Sequence, residues 1–478
     1  MARIQFIVDY VVNESMGIMF LSSYLKANGH EVGLSLLAAH KRVEGVLAEI
    51  EAFNPDLVGF SVMTPQASTY ERISRVIKEK TGRKIIWGGP HCTFMPEVVA
   101  EIGAVDIVCV GEGEEAMLTL MNRLDAGKDY ADVPNLWVRK GEQWVRNEVG
   151  PLETNLDKYP FPDRELFYEK SPLMRDFAVK RFLAQRGCPF DCNYCCEPAF
   201  KKLYQGKGPL VRRHSVGYMI RQIQEEIRKH PVRRVAISDD SFNLHREWVA
   251  QFLGEYKKHI GLPFCCNLFM PNLDEELANQ LKDAGCNGVL FGVESSVDRI
   301  RNDVLNKKGS KEQFRFAAGL LRKHKIRMAV NNMLCVPTQT LDDAIETLRF
   351  DRELGAYILR FYVLKIYKGT RLAKFAGERG LCQEVERYTY KSTDPLGEHK
   401  AMKRILYLGY YLYRIPGLMR LARPLLRSPL SGLLRPLILF TYWQDRAFYG
   451  LSCWEAWRLY RSFPRLFQEG MGKEETNQ

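Results

Sequence analysis

A short loop with three cysteines constrains this 478-residue chain more than any other feature. Cys188, Cys192 and Cys195 lie in the stretch FLAQRGCPFDCNYCCEP, residues 182–198, with the spacing C-x3-C-x2-C. Three thiolates on one loop can bind three irons of a cubic 4Fe–4S cluster. The fourth iron then stays open, as in a catalytic metal site that keeps one coordination position for its substrate.

Two alternatives stay open from the loop alone. A structural zinc site needs four close ligands, usually in two short pairs, and the sequence shows no second Cys or His pair of that kind. Cys196 directly follows Cys195, so Cys188, Cys192 and Cys196 form a second register. The spacing by itself does not choose between the two registers.

The loop resembles that of the radical S-adenosylmethionine enzymes, which share this spacing and carry an aromatic residue before the third cysteine. Tyr194 occupies that position here. The resemblance implies that Cys188, Cys192 and Cys195 bind a 4Fe–4S cluster, with Cys195 favoured over Cys196. It also implies that the open iron holds the methionine end of S-adenosylmethionine and that Tyr194 belongs to the cofactor-binding residues.

The bulk composition is that of an ordinary globular protein, with 46% hydrophobic and 26% charged residues, and the length predicts two or three domains. Twelve cysteines in so long a chain indicate a reducing compartment, so we expect a cytoplasmic protein. The N-terminal sequence is typical of a first strand rather than a signal peptide, and no apolar run has the length of a membrane span. The formal charge of +12 would suit nucleic acid, but no nucleic-acid-binding module is evident and we expect none bound.

Residues 1–130 alternate between short apolar runs and segments with helical spacing. The apolar runs, which we predict to be strands, are residues 4–8, 30–36, 57–62, 84–87 and 106–110. Such alternation is typical of an α/β domain with a doubly wound parallel sheet, of the Rossmann or flavodoxin-like type. Ligands of these sheets bind at the carboxyl ends of the strands.

The loops after three of these strands are rich in glycine and polar residues. They read SVMT at 61–64, GGPH at 88–91 and GEGE at 111–114. Because Gly88 and Gly89 have no side chain, a large ligand can approach the backbone closely at this point.

These loops resemble the cobalamin-binding domain that precedes many radical S-adenosylmethionine domains. The stretch GIMFLSSYLKANGHEV near the N-terminus strengthens the resemblance. It implies that Ser61, Gly88 and Gly89 hold the nucleotide tail of cobalamin. Thr64 and Glu112 lie in the same set of loops, and we expect them to contribute to the cofactor site.

One motif of many cobalamin proteins is missing from this sequence. The pattern Asp-x-His-x-x-Gly, whose histidine binds cobalt from below, does not follow the first strand, where residues 10–16 read YVVNESM. We therefore expect the lower face of the cobalt to lack a protein histidine, with His91 as the exception to consider. A flavodoxin-like domain that binds no corrin is the alternative.

Residues 131–175 are rich in proline and turn residues, which predicts a linker with a small hairpin around Gly141. From 176 to 395 the alternation of strands and helices resumes. The six predicted strands are residues 177–183, 233–238, 264–269, 288–293, 327–334 and 358–366. This number indicates a partial (β/α)6 barrel, similar to a TIM barrel, with its active residues at the carboxyl ends of the strands.

Acidic residues follow two of these strands, Asp239 and Asp240 after the second and Glu294 after the fourth. By the resemblance, the two aspartates accept hydrogen bonds from the ammonium of S-adenosylmethionine and Glu294 binds its ribose hydroxyls. For any one of them alone, a helix N-cap or a solvated loop acid is the simpler interpretation. Their joint position at strand ends favours the cofactor role.

Residues 396–478 differ in character from the rest of the chain. They are rich in Leu, Tyr and Arg, and residues 401–470 contain eleven Lys or Arg against three acids. The helical pattern is interrupted by several prolines. We favour a helical cap that closes the barrel over its substrate, and an amphipathic basic segment on an anionic membrane surface stays open as the alternative.

Taken together, the resemblances imply an enzyme with three cofactors, namely a 4Fe–4S cluster, S-adenosylmethionine and cobalamin. In that family an adenosyl radical removes hydrogen from an unactivated carbon and methylcobalamin delivers a methyl group. We therefore expect methylation of a hydrophobic or natural-product-like small molecule or lipid, with flavodoxin or ferredoxin as the reductant. Cyclisation or oxidation without methyl transfer is the main alternative, and a non-catalytic cobalamin or redox sensor ranks below it.

Overall fold

The chain folds into two units in this computed structural model. The described residues are 1–9, 14–40, 43–415, 417–437, 448–449 and 451. The first unit consists of Met1–Asp176 and Cys196–His214, and the second consists of Phe177–Cys195 and Ser215–Gln478. Each unit is an α/β structure built on its own sheet of mainly parallel strands.

The first unit is built on a seven-stranded sheet. The strands are β1 (Arg3–Val8), β2 (Glu31–Leu36), β3 (Leu57–Ser61), β4 (Lys84–Gly88), β5 (Ile107–Cys109), β6 (Leu136–Lys140) and β7 (Gln143–Arg146). Their order is β2-β1-β3-β4-β5-β6-β7, with β1 to β5 parallel and the last two antiparallel. The predicted doubly wound sheet is confirmed, since 2-1-3-4-5 is the flavodoxin-like order, whose topological switch point lies between β1 and β3.

Nine α-helices belong to the first unit within the described residues. They are α1 (Met16–Ala27), α2 (Val43–Phe53), α3 (Ala67–Thr81), α4 (Pro90–Phe94), α5 (Pro96–Ala100), α6 (Glu114–Asp125), α7 (Glu165–Tyr168), α8 (Pro172–Asp176) and α9 (Glu197–Leu203). The hairpin predicted around Gly141 is confirmed as β6 and β7, which extend the first sheet. The stretch 131–175, predicted as a linker, is therefore packed into the first unit, where a buried ion pair joins Arg164 to Glu14.

The second unit is built on six parallel strands in sequential order. They are β8 (Val179–Phe182), β9 (Arg234–Ile237), β10 (Phe264–Asn267), β11 (Cys286–Glu294), β12 (Arg327–Leu334) and β13 (Ile358–Val363). Neighbours in sequence are neighbours in the sheet, and β8 and β13 form its two edges. This arrangement confirms the predicted partial (β/α)6 barrel.

The connecting helices of the barrel begin at well-formed caps. The helices are α10 (Val216–Lys229), α11 (Arg246–His259), α12 (Glu275–Asp283), α13 (Lys311–Lys323) and α14 (Leu341–Leu354). Ser215, predicted as an N-cap, accepts a hydrogen bond of 3.1 Å from the amide of Tyr218. Asp274, Ser310 and Thr340 cap α12, α13 and α14 in the same way, which satisfies amide groups at the start of each helix.

After the barrel the chain forms a small antiparallel sheet and a group of short helices. The strands are β14 (Ile366–Tyr367), β15 (Cys382–Glu386) and β16 (Thr389–Ser392), and the helices are α15 (Arg371–Gly377), α16 (His399–Lys403), α17 (Ile405–Arg414) and α18 (Ala422–Arg427). Met402, Leu408 and Leu412 share a hydrophobic core with Leu348 of α14. These helices therefore cover the outer side of the barrel near α14.

Only a few residues beyond 437 are described, and two of them fill the barrel interior. Phe448 and Leu451 pack among side chains near the amino ends of the strands, including those of Val179 and Ile358. A Cβ on Gly288 would lie 2.6 Å from the Phe448 ring, so the glycine makes room for it. The cap expected over the carboxyl ends stays a prediction, since 39 of the 83 residues from 396 to 478 lie outside the described part of the chain. No described helix has the length and apolar character needed to cross a membrane.

Candidate functional site

The cysteine loop follows β8 and is held by backbone contacts within the second unit. The amide of Asn193 donates to the carbonyl of Leu305 at 2.9 Å, and its side chain donates to Val304 at the same distance. The carbonyl of Asn193 in turn accepts from the amide of Leu372 at 2.8 Å. The loop therefore has a defined course before any cofactor is considered.

The three cysteines predicted to bind the cluster differ in their exposure. Cys192 is buried, whereas Cys188 and Cys195 are half-buried. Burial raises the pKa of the Cys192 thiol, and the positive charge of Lys307 opposes that effect. Within the described residues, no group of three or more His, Cys, Asp or Glu side chains is placed to hold a single metal ion. A cubic cluster does not require such convergence, because each thiolate binds a different iron.

Tyr194 and Glu294 meet beside the cysteine loop. The hydroxyl of Tyr194 donates to Oε1 of Glu294 at 3.1 Å. Glu294 is 7% exposed, and burial raises the pKa of its carboxyl, while Lys307 and Tyr194 lower it. The structure thus brings together two residues that the sequence assigned separately to the cofactor site.

Lys307 is a central residue of this site that sequence reasoning missed. Its Nζ lies 3.6 Å from Oε1 of Glu294. Burial works against its charge, but Glu294 and the thiols of Cys192 and Cys188 outweigh burial and raise its pKa, so it is an ammonium. In the sequence Lys307 belongs to the polar run NKKGS, which reads as a solvated loop, and no sequence signal distinguishes it from Lys308.

The backbone at the carboxyl ends of β11 and β12 is strained. Glu294 has φ +62° and Cys335 has φ +60°, which are left-handed backbone conformations that residues other than glycine rarely adopt. At Gly292 a Cβ would lie 1.9 Å from Oε1 of Glu294, so the carboxylate folds back over its own strand. Strain of this kind concentrates at functional sites, where the surrounding structure maintains it.

The two aspartates after β9 have different surroundings. Asp239 is 1% exposed, and its Oδ1 accepts hydrogen bonds from the amides of Ala184 at 2.7 Å and Gln185 at 3.0 Å. It therefore fixes the start of the cysteine loop. Asp240 is exposed, yet desolvation by the surrounding protein raises the pKa of its carboxyl and Lys307 opposes this rise. The carboxylate of Asp240 is therefore more accessible to a ligand than that of Asp239.

In the first unit, the loops after β3 and β4 are joined at the carboxyl edge of the sheet. The amide of Val62 donates to the carbonyl of Gly88 at 2.8 Å, and the amide of His91 donates to the carbonyl of Val62 at 3.0 Å. Gly89 has φ +91°, and a Cβ there would lie 2.9 Å from the Val62 nitrogen and 3.0 Å from Oγ of Ser61. Both the backbone conformation and the space therefore require glycine at position 89.

His91 and Thr64 form part of the structure of these loops. The ring of His91 is 1% exposed, and its Nδ1 lies 3.2 Å from Oγ1 of Thr64. A buried histidine with this partner fastens the two loops together. Met63 beside them is 52% exposed and offers an apolar surface at the same edge as Ser61. The 10–13 part of the loop after β1 lies outside the described residues.

The carboxylate of Glu112 is bound by another side chain of the protein. Both of its carboxylate oxygens accept hydrogen bonds from Arg212, at 2.6 and 2.8 Å. The residue lies in the loop predicted from the sequence, but its carboxylate is bound by this arginine. Sequence reasoning could not find the partner, because 100 residues separate the two.

Two family models match this chain in separate regions. The B12 binding domain matches residues 6–121, and the Radical SAM superfamily matches residues 182–350. The first range contains the loops around Ser61 and Gly89. The second contains the cysteine loop, both aspartates and Glu294.

Several curated proteins resemble the chain over most of its length. An uncharacterised methyltransferase of Pyrococcus horikoshii is 25% identical over 412 residues, which cover 83% of this chain and 87% of the relative. The anaerobic magnesium-protoporphyrin IX monomethyl ester cyclase of Rubrivivax gelatinosus is 25% identical, covering 81% of this chain and 70% of that protein. The bacteriochlorophyllide d C-8(2)-methyltransferase of Chlorobaculum tepidum is 24% identical, and the match covers 70% of this chain and 71% of that protein.

The fold is also found in a solved structure. The radical S-adenosylmethionine methyltransferase TsrM of Kitasatospora setae superposes with a TM-score of 0.71 at 17% identity. The match covers 87% of this chain and 89% of TsrM. Both α/β units described above therefore occur together in a known enzyme fold.

The two matched domains, in this order on one chain, define a radical S-adenosylmethionine enzyme that carries a B12-binding domain. The two models together cover more than half of the chain, which therefore belongs to the cobalamin-dependent radical S-adenosylmethionine enzymes; its curated relatives include both methyltransferases and a cyclase. Its cofactors are accordingly a 4Fe–4S cluster, S-adenosylmethionine and cobalamin. The residues present fit these groups, with three cysteines on one loop, two of them near the ammonium of Lys307, and a glycine-lined edge on the first sheet. The role of each named residue stays a prediction.

Single cysteine replacements test which thiolates bind the cluster. We expect Cys188→Ala, Cys192→Ala and Cys195→Ala each to abolish retention of a stable 4Fe–4S cluster, because three protein thiolates hold it. Iron and sulfide content and the EPR spectrum of the reduced protein provide the measurement. Cys196→Ala is the matched control and should retain wild-type iron. If Cys196→Ala loses the cluster while Cys195→Ala keeps it, the register is wrong.

Gly89→Ala tests the joined loops of the first unit. The added Cβ would meet the Val62 amide in a left-handed backbone, so we expect the variant to lose most of its bound cobalamin and about 1–3 kcal/mol of stability. Cobalamin content after anaerobic gel filtration and the thermal midpoint are the measurements. Gly103→Ala, where a Cβ meets nothing within 4 Å, should leave both unchanged. Full cobalamin content in Gly89→Ala would exclude this edge as the corrin site.

Proposed function

We propose that the protein methylates an unactivated carbon of a small apolar or lipid-like molecule. When bound, the cluster and S-adenosylmethionine supply an adenosyl radical and cobalamin supplies the methyl group. The observation that carries the proposal is the group formed by the cysteine loop, Tyr194, Glu294 and Lys307 at the carboxyl ends of the barrel strands. Reducing equivalents from flavodoxin or ferredoxin are part of the proposal.

The charges of this group suit the parts of S-adenosylmethionine. The Lys307 ammonium faces the thiols and is placed to attract the carboxylate of the methionine end. Asp240 can accept from the α-ammonium, and Glu294 can accept from the ribose hydroxyls once its contact with Tyr194 rearranges. Asp239 holds the loop backbone and acts as a positioning residue. Pre-formed groups of this kind orient the bound molecule and exclude water from it.

Two reaction types are supported by the relatives. The names of the relatives from Pyrococcus and Chlorobaculum describe methyltransferases, whereas that from Rubrivivax describes a cyclase of similar coverage. Methyl transfer is the main proposal, and ring formation or oxidation without methyl transfer is the second candidate. The two differ in the fate of the methyl group of S-adenosylmethionine, which an isotope label follows directly.

Lys307→Gln tests the binding of S-adenosylmethionine. The change removes the charge but keeps a polar group beside Glu294, and we expect about tenfold weaker binding because a contact to a charged group is lost. Equilibrium dialysis of the anaerobically reconstituted protein measures the dissociation constant. Lys308→Gln removes the same charge one residue further on and should bind as wild type. Affinity within twofold of wild type in Lys307→Gln would remove Lys307 from the site.

Methyl transfer is tested with deuteromethyl S-adenosylmethionine. The protein, reconstituted anaerobically with cluster and cobalamin, is reduced and incubated with an extract of small molecules and lipids. We expect 5′-deoxyadenosine and a product whose mass has grown by a labelled methyl group. An unlabelled product together with 5′-deoxyadenosine would favour the cyclase or oxidase candidate. Absence of 5′-deoxyadenosine would favour a sensor.

We further propose that a cytoplasmic membrane surface is where the protein meets its substrate. Residues 401–437 contain seven Lys or Arg and no acidic residue. Within them Leu421, Leu430 and Leu433 are 54%, 71% and 77% exposed. Exposed leucines beside arginines suit the boundary of an anionic bilayer, where apolar groups insert and cations stay at the headgroups.

Vesicle cosedimentation tests this surface. We expect wild-type protein to bind vesicles of phosphatidylglycerol and phosphatidylcholine, more weakly at high salt, and to bind pure phosphatidylcholine poorly. Replacing Leu430 and Leu433 together by Gln should reduce vesicle binding at least about tenfold, because the two leucine side chains gain free energy on transfer from water into the bilayer. Phe316→Gln, at a position 59% exposed on α13, is the matched control. Equal binding by all three proteins would contradict the proposal.

A further inference from the structure

The chain changes unit directly after the third cysteine. Residues 196–214, called here the crossover segment, belong to the first unit, whereas the cysteine loop before them and α10 after them belong to the second. The crossover segment contains α9 and the residues that follow it. It is therefore linked covalently to the cysteine loop and by side-chain contacts to the cobalamin-binding domain.

The first of these contacts is made by Tyr204. This residue is 1% exposed, and its hydroxyl accepts hydrogen bonds from the amide of Glu112 at 2.8 Å and from Nδ2 of Asn135 at 3.1 Å. Gly111 has φ +85°, and a Cβ there would lie 2.0 Å from the tyrosine oxygen. The loop after β5 is therefore shaped to receive this hydroxyl.

The second contact is made by Arg212, whose side chain is 2% exposed. Its guanidinium binds both carboxylate oxygens of Glu112, and it also donates to the carbonyl of Glu153 at 2.9 Å. A planar bidentate contact of this kind fixes both the position and the orientation of the carboxylate. Glu112 is thus held through its backbone by Tyr204 and through its side chain by Arg212.

Both contacts end on one short loop. Residues 111–114 follow β5 at the carboxyl edge of the first sheet, the edge that also carries Ser61 and Gly89. Contacts that only stabilised the domain could end anywhere on it. Lys207 of the same segment, for example, contacts Glu148 and the carbonyl of Val149 and makes no hydrogen bond to residues 111–114, all of which the structure describes. Of the buried side chains in the segment, Tyr204 and Arg212 thus bind this loop, whereas His214 contacts Asp157 and stacks on Phe20.

We propose that Tyr204 and Arg212 are positioning residues that hold the 111–114 loop in the shape that accepts cobalamin. Glu112 then orients this loop through Arg212 instead of contacting the cofactor with its carboxylate. The inference rests on cobalamin binding at this edge of the first sheet. It does not depend on the substrate or on methyl transfer, so it can be tested if either of those proposals fails.

The test measures cobalamin affinity on the full chain with its cluster reconstituted, by absorbance titration with hydroxocobalamin. Tyr204→Phe removes the hydroxyl that accepts from the Glu112 amide and the Asn135 side chain. Arg212→Lys keeps the positive charge but loses the bidentate contact with Glu112. We expect each variant to bind cobalamin about tenfold more weakly than wild type, with unchanged iron content per chain. Lys207→Ala is the matched control on the same segment and should bind as wild type.

Three results would overturn the positioning role. Wild-type cobalamin affinity in both Tyr204→Phe and Arg212→Lys would show that the contacts do not shape the site. Equal weakening by Lys207→Ala would show that any loosening of the segment has the same effect. Loss of iron together with cobalamin in both variants would indicate a general folding defect. Loss of cobalamin affinity alone, with the iron content preserved, supports the role.

Discussion

The ion pair between Lys307 and Glu294 is the interaction on which the site in the second unit depends. Cys192 and Glu294 are both potential anions, and burial disfavours the charge of each. The half-buried ammonium of Lys307 lowers the pKa of both groups and so stabilises their negative charge. Glu294 adopts a left-handed backbone conformation, which is unfavourable for a residue other than glycine. This conformation accompanies the direction of its carboxylate toward the lysine. Removing the lysine would therefore alter both the thiolates and the acid.

The two units solve the problem of binding large cofactors in different ways. The first relies on backbone, because Gly89 lets two loops close on each other at the carboxyl edge of the sheet. The second relies on charged side chains at the carboxyl ends of the barrel strands. The crossover segment uses both means, since the hydroxyl of Tyr204 fits beside Gly111 and the guanidinium of Arg212 binds a carboxylate.

Much of the fold could be predicted from the sequence, because buried parallel strands are continuous apolar runs that end in turns. All eleven strands predicted for the two parallel sheets are present, within a few residues of their expected ends. The small sheet of β14 to β16 was not predicted, since β15 is short and largely exposed and shows no apolar alternation. Lys307 and Arg212 were missed for a different reason. Arg212 is 100 residues from Glu112 in the sequence. Only the folded chain reveals that Arg212 is buried and that Lys307 lies near Glu294, Cys192 and Cys188.

The central claim is that three thiolates leave one iron of the cluster open for S-adenosylmethionine beside Lys307 and Glu294. Electron–nuclear double resonance on the reduced cluster, with S-adenosylmethionine isotopically labelled at its amino nitrogen and carboxylate, tests this claim most directly. Strong hyperfine coupling from both labelled groups is the predicted result. A reduced cluster that shows no coupling to either group, in protein that still binds the molecule, would contradict it.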